Sequence, residues 1–400
     1  MRLPLPAGLL AVLVAVGARA QDVTEKEFLS VLGDGAPAVR ALEEDLARAE
    51  GVARRARTLA NPSLEFYREA PEHNPRVTNW TLGWTPPLDG RFGPAKRAAD
   101  AGVAAARERL AAERVRLRVL WREVFAAWAL TEAREGTLGR QLEHTRVLAQ
   151  RERERARQGE ASGLSARRFG LAEAEVRAAL RQAEADRARA SAAARSLRPE
   201  LSREARPSLP ATPDLSGDAS ADAAAFDTPE LRAARLDVEQ AGLEGKVAGR
   251  FWGFPEVQLG WQTLSQPGLD HSGPIFALRW NVPLLDRSQA ARAESARREA
   301  IAAARAQLAT ARVPAEIAGR REAYLTLRES AREADLAAGE GERVLEAATA
   351  AFQAGEATLT DFLETLRSAL GARLRALDVR ESALLAHRDL EAALGRPLSE

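Results

Sequence analysis

The sequence predicts a mainly helical chain with a small β part, built as two tandem structural repeats. Long coiled-coil helices accompany four strands, and several copies must share those strands in one barrel. Three observations carry this reading. The chain says nearly the same thing twice, about 196 residues apart: Trp84-Thr85-Pro86-Pro87-Leu88-Asp89-Gly90-Arg91 returns as Trp280-Asn281-Val282-Pro283-Leu284-Leu285-Asp286-Arg287, and Gln158-Gly159-Glu160-Ala161 as Ala354-Gly355-Glu356-Ala357. A repeat this long is one supersecondary unit used twice. Each copy holds one β-hairpin with period-two alternation, and the rest is Ala-rich, charged and helical in spacing.

Along the first repeat, residues 36 to 60 read as a helix that Asn61-Pro62 stops. Ser63 to Tyr67 alternates as a strand, residues 71 to 75 hold a turn, and Trp80, Leu82 and Trp84 alternate with Thr81, Gly83 and Thr85. Pro86-Pro87 ends that strand, and a long helix runs from about Pro94 to Arg157. The second repeat starts cleanly at Thr228-Pro229-Glu230, a capping hydroxyl followed by proline at the first helical position. Val257, Leu259 and Trp261 form the next strand, Pro267 to Pro274 a turn, and Phe276, Leu278, Trp280 and Val282 the last strand. A long helix to about Ala354 follows, which Pro314 should kink, and then a helix from about Thr358 to Leu394.

The boundaries are therefore a signal peptide over 1–20, a first repeat over 21–198 with its hairpin at 63–86, a linker or strap over 199–227, and a second repeat over 228–400 with its hairpin at 255–283. The signal peptide has Arg2 as its positive start, Leu9 to Val16 as its apolar core and Ala18-Arg19-Ala20 as its cleavage site. The linker is rich in Pro, Ser, Ala and Asp.

Helix lengths and seams point to side-by-side packing. Roughly 60 residues of helix span about 90 Å, and the two shorter helices of one half, end to end, span about the same. Leu110, Leu117 and Val124 recur every seven residues, with Trp121, Trp128 and Leu142 in a second position. In the second half Ile317, Tyr324, Ala331, Ala338 and Leu345 do the same, with Leu327, Ala334, Gly341 and Ala348 offset by three.

The hairpins suit a membrane. Trp80, Trp84, Trp252, Trp261 and Trp280, five of the seven tryptophans, lie in or beside the strands, and tryptophan favours membrane interfaces. Strands of about ten residues with apolar and polar sides match outer-membrane strands. Trp80, Leu82, Trp84, Phe276, Leu278 and Trp280 are the expected lipid-facing set. Four strands cannot close a sheet, and open edges are not tolerated in lipid. Eight strands enclose only side chains, so twelve, from a homotrimer, is the first number with room for a channel.

Other classes fall away. Outside the signal peptide no apolar run reaches the length of a spanning helix. There is no cysteine, so no disulfide and no thiolate metal site. The net charge is +1 and near zero once Arg2 and Arg19 leave, which gives no steering of nucleic acid. The arginines of 151–157 alternate with Glu152 and Glu154 and read as a salt-bridged face. His73, His144, His271 and His387 are scattered, no catalytic motif occurs, and neither an enzyme, a cofactor nor a metal site is expected. His73 and His271 fall in the hairpin turns, where solvated loop histidines explain them better than metal ligands.

The whole pattern resembles the TolC family of outer-membrane efflux proteins, over nearly all of the mature chain. Asn281-Val282-Pro283-Leu284-Leu285-Asp286-Arg287-Ser288-Gln289 resembles the strand-to-helix junction of the branch containing CzcC. Residues 352–363, from Phe352-Gln353-Ala354-Gly355 to Asp361-Phe362-Leu363, resemble the family's helix-turn-helix at the periplasmic end of the tunnel, with Phe352 where the family usually has tyrosine. Gln158 to Ser165 is the equivalent turn in the first half. The resemblance implies a trimer, a twelve-stranded barrel and a twelve-helix tunnel in the outer membrane and periplasm of a Gram-negative cell. It implies a periplasmic adaptor docking at Gly159, Glu160, Gly355 and Glu356, an inner-membrane pump of the resistance-nodulation-division type, and a periplasmic gate at Asp361 and Glu364, with Arg167 and Arg168 nearby. The CzcC-like features make metal cations the first expectation for cargo. The alternatives are a periplasmic coiled-coil structural or adaptor protein and the duct of a type I protein secretion system.

Overall fold

The structure is a computed structural model that describes residues 22–32, 37–70, 76–214, 227–250 and 252–398. The expected signal peptide, the first hairpin's turn with His73, and linker residues 215–226 lie outside the described residues.

A short strand β1 (Asp22–Val23) and helix α1 (Glu25–Leu29) open the chain. Thr24 caps α1: its hydroxyl accepts from the Glu27 N–H at 3.2 Å, and the Glu27 carboxylate accepts from the Thr24 N–H at 2.8 Å. The first half continues with α2 (Pro37–Arg57), β2 (Ser63–Glu69), β3 (Arg76–Trp84), α3 (Phe92–Arg157) and α4 (Gly163–Leu197). After β4 (Arg206–Pro207), the second half runs through α5 (Pro229–Ala248), β5 (Glu256–Gln266), β6 (Leu269–Arg279), α6 (Gln289–Ala354) and α7 (Leu359–Leu394). The order is the same in both halves, and α3 and α6 both have 66 residues. Thr228 caps α5 by accepting from Leu231 N–H at 3.3 Å, with Pro229 at the first position, as the sequence predicts. The fold class is as expected: mainly α, with one four-stranded sheet, which does not close within one chain.

That sheet has the order β2-β3-β5-β6 and is antiparallel throughout. The junction β3–β5 joins the two repeats, and β2 and β6 are edges. The second hairpin corrects one expectation. Its turn is the pair Pro267-Gly268, not residues 267 to 274, and Gly268 has φ +85°. Proline then a left-handed glycine closes a tight reversal, so Asp270, His271 and Ser272 belong to β6, and His271 pairs with Leu264. Pro274 is tolerated because β6 is an edge strand. The strand ends at Arg279, so Trp280 lies just beyond it. The linker also holds more than expected, since β4 pairs in parallel with β1, Asp22 opposite Arg206.

The chain forms two compact units: residues 1–31, 120–213 and 325–385, and residues 32–119, 214–324 and 386–400. Helices α3, α6 and α7 contribute to both. The α6 seam follows the expected heptad, with Ile317, Tyr324, Ala331 and Ala338 all buried. The α3 seam follows it in part, with Trp121 and Trp128 of the second position buried. Leu110, Leu117 and Val124 are half-buried, and the buried heptad is Ala98, Ala105, Ala112, Val119 and Ala126. Small side chains let helix backbones approach closely, so alanine takes the tight line and leucine its flank. Helix α6 runs through Pro314 without ending. Of the 151–157 arginines, Arg155 pairs with Glu152 at 2.8 Å, Arg157 with Glu154 at 3.4 Å and Arg153 with Glu173 of α4 at 2.6 Å.

Candidate functional site

Two features stand out, the sheet and a pair of helical tips. In the sheet, strand pairing puts Leu82 between Leu64 and Leu259, and Trp80 between Phe66 and Trp261. Leu278 pairs with Val257 and Phe276 with Leu259. Period-two geometry puts all of these on one face. Trp80, Leu82, Trp84, Phe276, Leu278 and Trp280 are 40–67% exposed in the single chain, with Leu64, Phe66, Leu259 and Trp261 equally open among them. A contiguous apolar face of this kind marks a surface that something apolar covers. Trp84 Nε1–H donates to the Ala60 carbonyl at 3.3 Å and Trp280 Nε1–H to the Gly253 carbonyl at 3.0 Å. Each indole is thus satisfied at the strand base while its ring stays open, the behaviour of an interfacial tryptophan.

The opposite face is polar. There Arg279 on β6 lies 3.8 Å from Glu256 on β5 and 4.0 Å from Glu65 on β2, and Gln258 donates to Glu256 at 3.1 Å. Sequence reasoning missed this network because its members come from three strands. Among the described residues no helix is long and apolar enough to cross a membrane, which says nothing of the sheet, and no group of His, Asp or Glu could hold a metal ion.

The tips are near copies of each other. Gly159 and Gly355 have φ +79° and +80°. Glu160 N–H donates to Arg155 O and Glu356 N–H to Ala351 O, both at 2.9 Å, and the next residues donate to the same carbonyls. Such a reversal needs a left-handed residue, which glycine supplies without a Cβ penalty. Ser162 caps α4 by accepting from Ser165 N–H at 3.1 Å, and Thr358 caps α7 by accepting from Asp361 N–H at 3.2 Å. The two turns share an apolar base. Phe352 stacks on Phe362 at 4.9 Å, and Phe169 meets Phe352 at 5.8 Å and Phe362 at 6.0 Å. The pairing of tips was legible as a repeated glycine; the aromatic base was not.

Asp361 and Glu364 are both exposed one turn into α7. The Asp361 carboxylate accepts from the Thr358 hydroxyl at 2.6 Å, so it also completes the helix start. The nearby Arg168 reaches Thr360 Oγ1 at 3.1 Å rather than either acid. The repeat places Arg168 where the second tip has Glu364, and Ser165 where it has Asp361.

Residues 221–396 match the sequence model of a family described as outer membrane efflux protein. That is a family of channels, not of enzymes, and its place is the outer membrane. No curated protein matches the chain significantly. The fold is shared over almost the full length with solved structures. CusC, studied for folding and transmembrane channel formation, matches with TM-score 0.76 at 15% identity, over 94% of this chain and 92% of that one. The outer membrane protein VceC of Vibrio cholerae matches with 0.73 at 18%, over 94% and 97%. The Campylobacter jejuni CmeC outer membrane channel matches with 0.72 at 14%, over 100% and 95%. These likenesses establish the fold across both halves, including the first, which the family model does not reach.

Proposed function

We propose that three copies of this chain form the outer-membrane duct of a tripartite efflux system, passively conducting substrates handed over by an inner-membrane pump and a periplasmic adaptor. The observation that carries the reading is the four-stranded sheet with one open apolar face and two open edges. Unpaired strand edges are too costly in lipid to stand alone, and three such sheets supply the twelve strands of a barrel with a lumen. Residues 1–20 export the chain, and the repeats 21–198 and 228–400, joined by the strap 199–227, supply two hairpins to each third of the barrel. Trp80, Leu82, Trp84, Phe276, Leu278 and Trp280 face lipid. The tips at Gly159, Glu160, Gly355 and Glu356 dock the adaptor. Asp361 and Glu364, three apart on one helical face, bring like charge to the threefold axis and gate the tunnel, because crowded carboxylates attract cations. The resemblance of the junction at 281–289 to the branch containing CzcC supports metal cations as cargo and a resistance-nodulation-division pump as partner.

Purified protein reconstituted in planar bilayers tests the reading. Discrete single-channel currents, together with restored efflux in a host lacking its own duct, are expected. Protein that washes off membranes and gives no current overturns it.

A further inference from the structure

The β3–β5 junction pairs the second strand of the first hairpin with the first strand of the second. The two hairpins superpose with fixed offsets. Leu64 pairs with Leu82 in the first and Val257 with Leu278 in the second. With Trp84 aligned on Trp280 and Pro62 on Pro255, first strands differ by 193 positions and second strands by 196. The tryptophan hydrogen bonds obey the same offsets, Trp84 to Ala60 and Trp280 to Gly253. In the sheet, a second strand already pairs with the following first strand: Trp84 opposite Val257, Gly83 opposite Gln258, Leu82 opposite Leu259. Edge β6 is another second strand and edge β2 another first strand.

We propose that β6 of one copy pairs antiparallel with β2 of the next in the register of that internal junction, so that Arg279 stands directly opposite Glu65 of the neighbouring copy. This rests on the trimeric duct reading and gives it a register. Carrying the offsets over, Trp280 opposes Leu64 and Leu278 opposes Phe66, which keeps the apolar face continuous across the seam. On the polar face, the position where the internal junction has Gly83 beside Gln258 becomes Arg279 beside Glu65. Opposite charges directly across a strand pair stabilise it, and like charges oppose it. The same two side chains already approach to 4.0 Å within one chain, although three strand spacings of about 4.8 Å separate their strands. Both therefore point across one polar face toward each other. Opening the curl to that of a twelve-stranded barrel draws the in-chain pair apart and leaves Arg279 with Glu65 of the next copy. A slip of one residue would turn the apolar set of one strand to the lumen. The charge pair guards the slip of two, which would set Arg279 against Ser63 or Tyr67.

The chain has no cysteine, so engineered thiols report the register without background. In the full-length protein in outer membranes, the double variant Glu65→Cys/Arg279→Cys should form dimers and trimers under mild oxidation that reducing agent reverses. Ser63→Cys/Arg279→Cys and Tyr67→Cys/Arg279→Cys should crosslink at least tenfold less. Crosslinking of either of these in place of the first pair overturns the register, and a monomer with an internal bridge overturns the intermolecular pairing. Native mass of the uncrosslinked protein separates the two levels: a trimer with a different crosslink pattern removes this register alone, whereas a monomer removes the duct reading beneath it. Charge exchange is the second measurement. Glu65→Arg and Arg279→Glu should each lower the yield of detergent-resistant trimer, and Glu65→Arg/Arg279→Glu should restore most of it. A double variant no better than the singles refutes the pair.

Discussion

Leu82→Arg separates a membrane sheet from a soluble one by magnitude. Leu82 lies on the apolar face, two residues before the end of β3, flanked by Leu64 and Leu259, and is 49% exposed in the single chain. If that face met water, a half-exposed leucine replaced by arginine would change stability by no more than about 0.5 kcal/mol. If it meets lipid, an arginine near midplane costs roughly 2–4 kcal/mol, and three copies in one barrel raise this to roughly 6–12 kcal/mol per assembly. The neighbouring Thr81 lies on the polar face, so Thr81→Arg should cost close to nothing by comparison. The assay is the fraction of chain that reaches the outer membrane as detergent-resistant trimer, with urea-titrated refolding into bilayers for the free energy. Leu82→Arg should abolish trimer and Thr81→Arg should retain it. Equal tolerance on both faces would refute the assignment of lipid to this side of the sheet.

Three further outcomes follow from the tips. Gly355 has φ +80° and nothing within 4 Å of a built Cβ, so Gly355→Val strains only the backbone, by about 1–2 kcal/mol. It should leave trimers in the membrane but stop efflux, while Gly355→Asn, which accepts a left-handed conformation, keeps it; normal efflux in the valine variant removes the tip from docking. Phe362 is fully buried and stacked on Phe352, so Phe362→Ala should cost roughly 3–5 kcal/mol, read as faster amide exchange confined to 148–172 and 345–366; exchange unchanged there would show that the aromatic base does not hold the turns. The pair Asp361→Asn/Glu364→Gln keeps an acceptor for the Thr358 hydroxyl and removes the charge, so it should weaken cation block of single-channel current, and unchanged block would put the constriction elsewhere.

Much of this molecule is legible in one sequence because it is written twice. The offset between Trp84 and Trp280 located both hairpins, and Gly159 and Gly355 located both tips, since tight reversals need glycine and glycine is easily seen. The α6 seam was readable where bulky residues such as Ile317 and Tyr324 mark it. On α3 the bulky Trp121 and Trp128 were readable too, but the alanine line was not, because alanine carries too little hydrophobicity to stand out beside Leu110 and Leu117, although its small size is what puts it at closest approach. The Pro267-Gly268 turn was overestimated because polar residues Asp270 to Ser272 look like a loop; on an edge strand of a sheet with one wet face they need no burial. The Arg279 network reaches from Glu256 on the neighbouring strand to Glu65, some 200 positions away in sequence, and only the pairing register brings them together.

The mass of the native protein extracted from outer membranes in mild detergent tests the central claim most directly. Four strands per chain and the cost of open edges in lipid predict a complex of three chains. A monomer or a dimer, with four or eight strands and no room for a lumen, would contradict it.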